Sequence, residues 1–239
     1  TQYERFKANQ DAIDTLRAIL DEDADHAEAI TLLSRVLEES GQDAELAELL
    51  NGQIERARGA GDTARELSLQ VRLGELLENR VKDSGRALAT YEAVLERDPD
   101  HRGALEAVAR LAEARDAWER AASALDKLTS LLAQSGTAGD EVVRFARKLA
   151  AAREKLGDEA GVEDALGRAL AVDVRNHDVR QSLRALFEKR KKWDKLAALL
   201  AEDAELVAGD DDAANAERVK ILRHTAQIHV KERSAPGDA

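Results

Sequence analysis

Five histidines are the first side chains in this 239-residue chain that could bind a metal ion. His26 and His101 each stand immediately before a predicted helix and are 75 residues apart, so they belong to different helical layers. His224 and His229 are five residues apart on one helix, whereas a metal-binding pair needs the i, i+4 spacing that places both rings on one face. We interpret His26 and His101 as helix-capping or turn residues, and we predict no metal site.

Acidic runs are the second candidate, because paired carboxylates in a pocket can carry out acid–base catalysis. DEDAD at 21–25 and GDDD at 209–212 both fall in predicted loops, where solvated and helix-capping carboxylates are the ordinary finding. GDDD also lacks the ligand spacing of a calcium loop. The chain has no cysteine, no glycine-rich phosphate loop and no serine in a recognisable nucleophile motif. We therefore predict that the protein is not an enzyme and has no cofactor and no small-molecule substrate.

The basic run at 189–192, followed by Trp193, is the part of the chain most similar to a nucleic-acid contact. An aromatic ring beside cations can stack on a base. Trp118 stands at the equivalent position 75 residues earlier without a basic run, so we interpret both indoles as packing across a hairpin turn. The formal net charge of −12 also disfavours contact with a phosphate backbone. We predict no nucleic-acid partner.

The elements that position these residues follow a 75-residue period. DADH at 23–26 recurs as DPDH at 98–101 and as DVRN at 173–176. Apolar residues at helical spacing, with breaks at glycines, predict four helices in each period. The predicted helices lie near residues 3–8, 11–21, 27–40, 43–59, 63–82, 85–97, 102–115, 117–135, 139–156, 159–172, 177–190, 192–208 and 214–232. Predicted N-cap residues are Asp25, Asp43, Asp62, Asp100 and Asp158.

Composition supports helices that pack through small contacts. Apolar residues make up 44% of the chain, but aromatic residues only 3%, and charged residues reach 35%. No apolar run is long enough to span a membrane, so we predict a soluble protein. Cytoplasmic location is favoured, and export is not ruled out. Both ends fall inside the repeat pattern, which predicts a fragment of a longer array.

Residues 105–128 resemble the tetratricopeptide repeat, a 34-residue helix-turn-helix unit. The residues that carry this resemblance are Leu105, Val108, Ala109, Ala112, Ala121, Leu125 and Leu128. The hairpin at 67–101 is similar but has one extra residue in its turn. Lys148 and Arg180 stand where the family has apolar residues. The alternation of longer and shorter units is similar to large bacterial arrays of such repeats.

The resemblance implies an all-α, right-handed α-solenoid with a 75-residue, two-hairpin super-repeat. The expected single solenoid covers 1–239, with a partial copy at 1–26, copies at 27–101 and 102–176, and an incomplete copy at 177–239. In the family, the first helix of each hairpin lines a concave groove that binds peptides or proteins. Carrying over its ligand-facing positions gives six candidate partner-binding residues: Arg35, Glu75, Glu78, Glu106, Arg110 and Arg153.

Two interpretations of these candidates stay open. Arg35 and Arg110 are 75 residues apart and could form a ladder that binds acidic groups bidentately. Alternatively, the six are solvated helix faces with i, i+4 ion pairs. The family's Asn and Lys carboxylate clamp is not present. The leading functional hypothesis is a scaffold that binds other proteins, including acidic or mixed-charge segments. The alternative is a structural element that self-associates head to tail.

Overall fold

The computed structural model describes residues 2–136, 139–209 and 211–234, and within these ranges it leaves undescribed the side chains of residues 2–7, 229 and 231–234. This part of the chain contains twelve α helices. Their bounds are α1 Gln2–Glu22, α2 Ala27–Ser40, α3 Asp43–Gly59, α4 Thr63–Leu76, α5 Ser84–Arg97, α6 Arg102–Glu113, α7 Trp118–Gln134, α8 Gly139–Lys155, α9 Glu159–Val172, α10 His177–Lys189, α11 Trp193–Leu206 and α12 Asp212–Ser234.

The helices form two compact units, Thr1–Arg115 and Asp116–Ala239. Within each unit, every helix packs mainly against the helices before and after it in the chain. The predicted all-α fold of consecutive helical hairpins is therefore confirmed. The 75-residue super-repeat and the single solenoid over 1–239 stay predictions. None of the helices in the described ranges combines the length and the apolar character that a membrane crossing requires.

Side-chain caps begin α2, α6 and α10. Nδ1 of His26 accepts a hydrogen bond from the backbone N–H three residues on at 3.2 Å, and His101 does the same at 3.1 Å. Oδ1 of Asn176 makes the equivalent contact at 3.1 Å. The interpretation of His26 and His101 as capping residues is confirmed. These bonds satisfy one of the unpaired N–H groups that every helix leaves at its start.

Two of the five predicted aspartate caps are confirmed and three are wrong. Asp62 and Asp158 accept the backbone N–H three residues on, at 3.0 and 2.9 Å. Asp25 and Asp100 stand one residue too early, because the histidine that follows each of them makes the cap. Asp43 is the first residue of α3 and follows the N-cap position.

The predicted helix at 63–82 is divided. After α4, residues Leu77–Val81 form a π-helical turn, and Lys82 ends it in the left-handed conformation at φ 62°. The N–H of Asp83 donates to the carbonyl of Leu77 at 2.9 Å, which closes this wide turn. A π turn holds one residue more than an α turn. It therefore accommodates the extra residue that the hairpin at 67–101 carries.

The predicted break between residues 3–8 and 11–21 is wrong, because α1 is continuous through this region. The core of the first unit is built from leucine, isoleucine and alanine on the inner faces of its helices. Tyr91 is the buried aromatic residue among the side chains described in this unit, and its ring lies against Gly74. A Cβ atom added to Gly74 would be 2.7 Å from the ring, so α4 and α5 approach closely because no side chain separates them there.

The core of the second unit contains a buried ionic cluster. The side chains of Arg180 and Asp203 are each 5% exposed and form an ion pair. Arg180 also donates to the carboxylate of Glu202 and the carbonyl of Val174, each at 2.9 Å. Nε of Arg184 donates to the other carboxylate oxygen of Asp203 at 2.8 Å. Arg180 stands at a position where the repeat has an apolar residue. It can be buried there because Asp203, Glu202 and the carbonyl of Val174 accept its hydrogen bonds. Lys148, the other exception to the pattern, is exposed.

Candidate partner-binding site

The first unit has a pocket of about 440 Å³ between α2, α3 and α4. Helix α2 contributes Thr31, Ser34, Arg35 and Glu38, whose i, i+3, i+4, i+7 spacing places them on one face. Helix α3 contributes one residue, Gln53. Helix α4 contributes two arginines, at positions 65 and 72, which are seven residues apart and so also share a face.

Three arginines give this pocket a positive lining. Arg35 and Arg65 are exposed, and neither side chain makes an ion pair or hydrogen bond with any described residue. Arg72 lies 3.7 Å from Glu38, and Arg80 lies 3.5 Å from the same carboxylate. One carboxylate is thus shared between two guanidinium groups, while two further guanidinium groups have no anionic partner in the described part of the chain.

Two buried polar groups in the pocket lack a hydrogen-bond partner. Ser34 is 3% exposed and Gln53 is 4% exposed, and both line the pocket. Neither Oγ of Ser34 nor Nε2 of Gln53 has a partner among the described residues. Leaving a buried polar group unpaired costs about 1–3 kcal/mol. The pocket therefore contains a buried hydroxyl group, that of Ser34, and a buried amide NH₂ donor, that of Gln53. They lie in the same pocket as the guanidinium groups of Arg35 and Arg65, which have no anionic partner among the described residues.

The structure places the six predicted binding residues in different settings. Arg35 is the one that lines this pocket. Arg110 and Glu78 come together, because the guanidinium contacts both carboxylate oxygens, one of them at 2.9 Å. A ladder of Arg35 and Arg110 would need the Arg110 guanidinium to bind a partner's carboxylate bidentately. In the structure, this guanidinium already binds Glu78 in that way.

Glu106 and Glu75 lie on helix faces of the first unit. Glu106 accepts a hydrogen bond from Nε of Arg102 at 2.8 Å, which is the i, i+4 pairing of the alternative interpretation. Glu75 is exposed. Burial raises the pKa of Tyr91 to about 12, and the negative charge of Glu75 adds to this increase. Tyr91 therefore stays neutral at physiological pH.

Arg153 lies in the second unit and is used there in an internal ion pair. Its guanidinium donates to Asp158 at 2.5 Å and lies 4.0 Å from Asp126. The hydrogen bond from the backbone of Gly161 and the one from Arg153 lower the pKa of Asp158. This carboxylate therefore remains charged and keeps Arg153 paired.

Four further residues of the pocket were not predicted from the sequence: Ser34, Gln53, Arg65 and Arg72. The 75-residue register contains a signal that could have found the first two, because Ser34 corresponds to Ala109 and then Arg184, whereas Gln53 corresponds to Leu128 and then Asp203. A position that is apolar in one interval and polar in another indicates that the polar residue meets a local requirement. The two arginines carry no such signal, since exposed arginines occur along the whole chain.

The basic run at 189–192 is partly neutralised by acidic residues of α9. Arg190 pairs with Glu159, and Nζ of Lys192 donates to Glu163 at 2.8 Å. Hydrogen bonds from Lys192 and Lys195 lower the pKa of Glu163. Fewer basic side chains of this run are therefore available to contact a nucleic acid than the sequence suggests.

The two tryptophans lie beside residues of other helices. Trp193 lines a pocket of about 310 Å³ together with Leu196 and with His224 and Ile228 of α12. Nζ of Lys155 lies 5.8 Å from the ring centroid of Trp118. Glu188 of α10 lines the same pocket, and the packing of Trp193 across the hairpin turn stays a prediction.

The acidic runs stand at helix ends. In the first run, Asp23 accepts the backbone N–H of Asp25 at 3.1 Å. In the second, Asp211 accepts the backbone N–H of Ala214 at 2.8 Å, whereas Asp210 lies outside the described residues. The side chain of His229 also lies outside them. Among the side chains that are described, no three histidine or acidic residues are grouped to hold a metal ion.

No protein-family model matches the sequence, and no curated protein is significantly similar to it. Solved structures are similar in fold. BtubC (BKLC) from P. vanneervenii is 14% identical over 100% of this chain and 95% of its own, with a TM-score of 0.44. MamA from Desulfovibrio magneticus RS-1 is 16% identical over 89% and 97%, with a TM-score of 0.44. YrrB, described as a TPR protein with an unusual peptide-binding site, is 18% identical over 76% and 85%, with a TM-score of 0.43. Similarity at this level identifies neither a partner nor an activity.

Proposed function

We propose that the protein is a scaffold that binds other proteins through its helical hairpins and has no catalytic role. The observation that carries this proposal is the pocket between α2, α3 and α4. It presents two unpaired guanidinium groups on a chain whose net charge is strongly negative. Exposed arginines without an internal partner are the groups most available to an acidic partner, since they lose no existing ion pair on binding.

The proposal assigns different roles to the six candidates. Arg35, on α2, contacts the partner directly, and Glu75 is a second exposed charge, on α4. The other four candidates are held in pairs, so a partner reaches them only by competing with those pairs: Glu78, Glu106, Arg110 and Arg153.

Site-specific photocrosslinking in the source cells tests the scaffold proposal. A benzoylphenylalanine replaces Thr31, which is exposed and lines the pocket, or Glu48, which is exposed on α3 and does not. We expect a discrete crosslinked partner from position 31 that is absent from position 48 and is lost when Arg35→Glu is added. Identical products from both positions, or products that survive Arg35→Glu, would contradict the proposal.

Self-association is the second candidate function, and exposed apolar residues of α12 favour it. Val219, Leu222 and Val230 are 45%, 51% and 63% exposed. Apolar side chains of this size on one helix can support contact between copies. We expect mass in solution to rise with concentration and to become constant in a Val219→Lys/Leu222→Lys variant. Val174→Lys, which changes an exposed valine outside α12, is the control; equal behaviour of both variants would exclude α12 as the contact.

A further inference from the structure

The pocket of the first unit contains buried polar groups that nothing in the described chain satisfies. Oγ of Ser34 and Nε2 of Gln53 both lack a partner, although each residue is less than 5% exposed. Buried polar groups in proteins almost always have a hydrogen-bond partner, and one without a partner in the chain is a place for a bound water, ion or ligand. Both residues line the same pocket.

Packing does not require polar residues at these two positions. The residues 75 positions further on are Ala109 and Leu128, and both are fully buried. At the next interval they are Arg184 and Asp203, which bond to each other at 2.8 Å. In the corresponding helices, these two positions thus hold a pair of apolar residues in one interval and an ion pair in the next.

In the first unit the pair is instead polar and unsatisfied. The hydrogen-bonding capacity of Ser34 and Gln53 is therefore not used by any described residue.

The charges around these groups define the ligand. Arg35, Arg65 and Arg72 line the pocket against a single carboxylate, that of Glu38. Glu38 already lies within 4 Å of two guanidinium groups, while Arg35 and Arg65 have no anionic partner among described residues. The pocket therefore has an excess of positive charge and hydrogen-bond donors. Guanidinium groups bind carboxylates in a planar, bidentate arrangement.

We propose that this pocket binds the carboxylate of an aspartate or glutamate side chain of a partner protein. The guanidinium groups of Arg35 and Arg65 neutralise the charge, and the carboxylate oxygens accept the hydrogen bonds that Nε2 of Gln53 and Oγ of Ser34 do not make within the chain. A carboxylate suits the site better than a phosphate dianion, because the charged Glu38 stands in the same pocket and repels the second negative charge more strongly. The assignment of the carboxylate to a protein rests on the proposed scaffold function.

NMR of the side-chain amide of Gln53 tests this proposal directly. The probe is acetyl-tetraglutamate amide, titrated into the full ¹⁵N-labelled chain, and the Gln53 signal is identified by its loss in a Gln53→Leu variant. We expect a saturable shift of this signal that acetyl-tetraglutamine amide does not produce. Equal shifts with both peptides would overturn the proposal. A larger and tighter response to a phosphoserine peptide or to inorganic phosphate would overturn the choice of carboxylate.

Two variants separate the site from general charge effects. Ser34→Ala/Gln53→Leu introduces the residues of the next interval; its fold is checked by circular dichroism, and we expect at least a tenfold loss of tetraglutamate affinity, measured by calorimetry. Arg35→Gln/Arg65→Gln gives a similar loss. Arg17→Gln/Arg56→Gln changes the same net charge in the same unit but outside the pocket and leaves the affinity within twofold. An equal loss in all three variants would overturn the site.

The outcomes for this site and for the scaffold function are separable. If tetraglutamate does not bind but crosslinks from position 31 persist, the carboxylate site is wrong and the scaffold stands. If tetraglutamate binds at Gln53 but no partner is crosslinked, the pocket is a carboxylate site and the assignment to a partner protein is wrong.

Discussion

Asp203→Asn in the second unit tests how the buried ionic cluster stabilises α10 and α11. The substitution keeps the shape of the side chain but removes the charge that pairs with Arg180 and Arg184. An amide offers one acceptor oxygen, and its NH₂ group faces guanidinium donors. Removing one member of a buried ion pair costs about 3–5 kcal/mol, because the remaining charge stays buried. Arg180 keeps Glu202 and two backbone carbonyls, so we expect about 3 kcal/mol.

Replacing the whole cluster should restore most of this stability. The residues 75 positions earlier are all apolar, so the matched variant is Arg180→Leu/Arg184→Ala/Asp203→Leu. A well-packed apolar replacement of a buried ion pair is often neutral or stabilising. We expect this triple variant to be within about 1 kcal/mol of the wild type. It will be more stable than the single Asp203→Asn variant, although it carries more substitutions.

Urea unfolding followed by tryptophan fluorescence measures both variants. Both tryptophans of the chain, Trp118 and Trp193, lie in the second unit, so the signal reports the unit that contains the cluster. Glu159→Gln, which removes a half-exposed ion pair of the same unit, is the control and should cost at most about 1 kcal/mol. A cost below about 1 kcal/mol for Asp203→Asn, or a triple variant as unstable as the single one, would refute the reasoning.

Three further substitutions test single contacts. Gly74→Ala should destabilise the first unit by about 1–2 kcal/mol, because its Cβ would be 2.7 Å from the buried ring of Tyr91; hydrogen exchange in α4 and α5 measures this. Gly52→Ala has no such neighbour and should stabilise α3 by up to about 1 kcal/mol in the same assay. The lowered pKa of Glu163 means that its pairing with Lys192 stabilises the fold above its unfolded pKa of about 4.3 and is lost as the pH falls further. Glu163→Gln should therefore be less stable than the wild type at pH 7, and this difference should shrink as the pH falls below about 4, in fluorescence-detected urea unfolding; a difference independent of pH would contradict this.

Most of the fold could be predicted from the sequence because helix formation here is governed by local signals. Period, glycine positions and helix-forming composition placed α2, α3 and α9 at their observed bounds. The errors occurred where local signals compete. Asp25 and His26 are both able to cap α2, and only the backbone geometry of the turn selects the histidine. The helix at 63–82 needed a π turn because one extra residue had to be placed without displacing α5.

The candidate site could be predicted only in part. The family resemblance indicated Arg35, but it also indicated Arg110, whose guanidinium is engaged by Glu78. Whether an arginine is free or paired depends on which acidic side chain a neighbouring helix brings within about 4 Å. Sequence spacing determines this within one helix and not between helices.

The sequence by itself determined the helical hairpins, the absence of cysteine chemistry and the positions at which polar residues replace apolar ones. The tertiary structure alone decided what those polar residues do. Arg184 and Asp203 satisfy each other in the second unit, whereas Ser34 and Gln53 remain unpaired in a positively charged pocket of the first. The physical reason is that helix propensity and periodicity act through neighbours along the chain. Hydrogen bonding and charge pairing of buried groups depend instead on distances between helices.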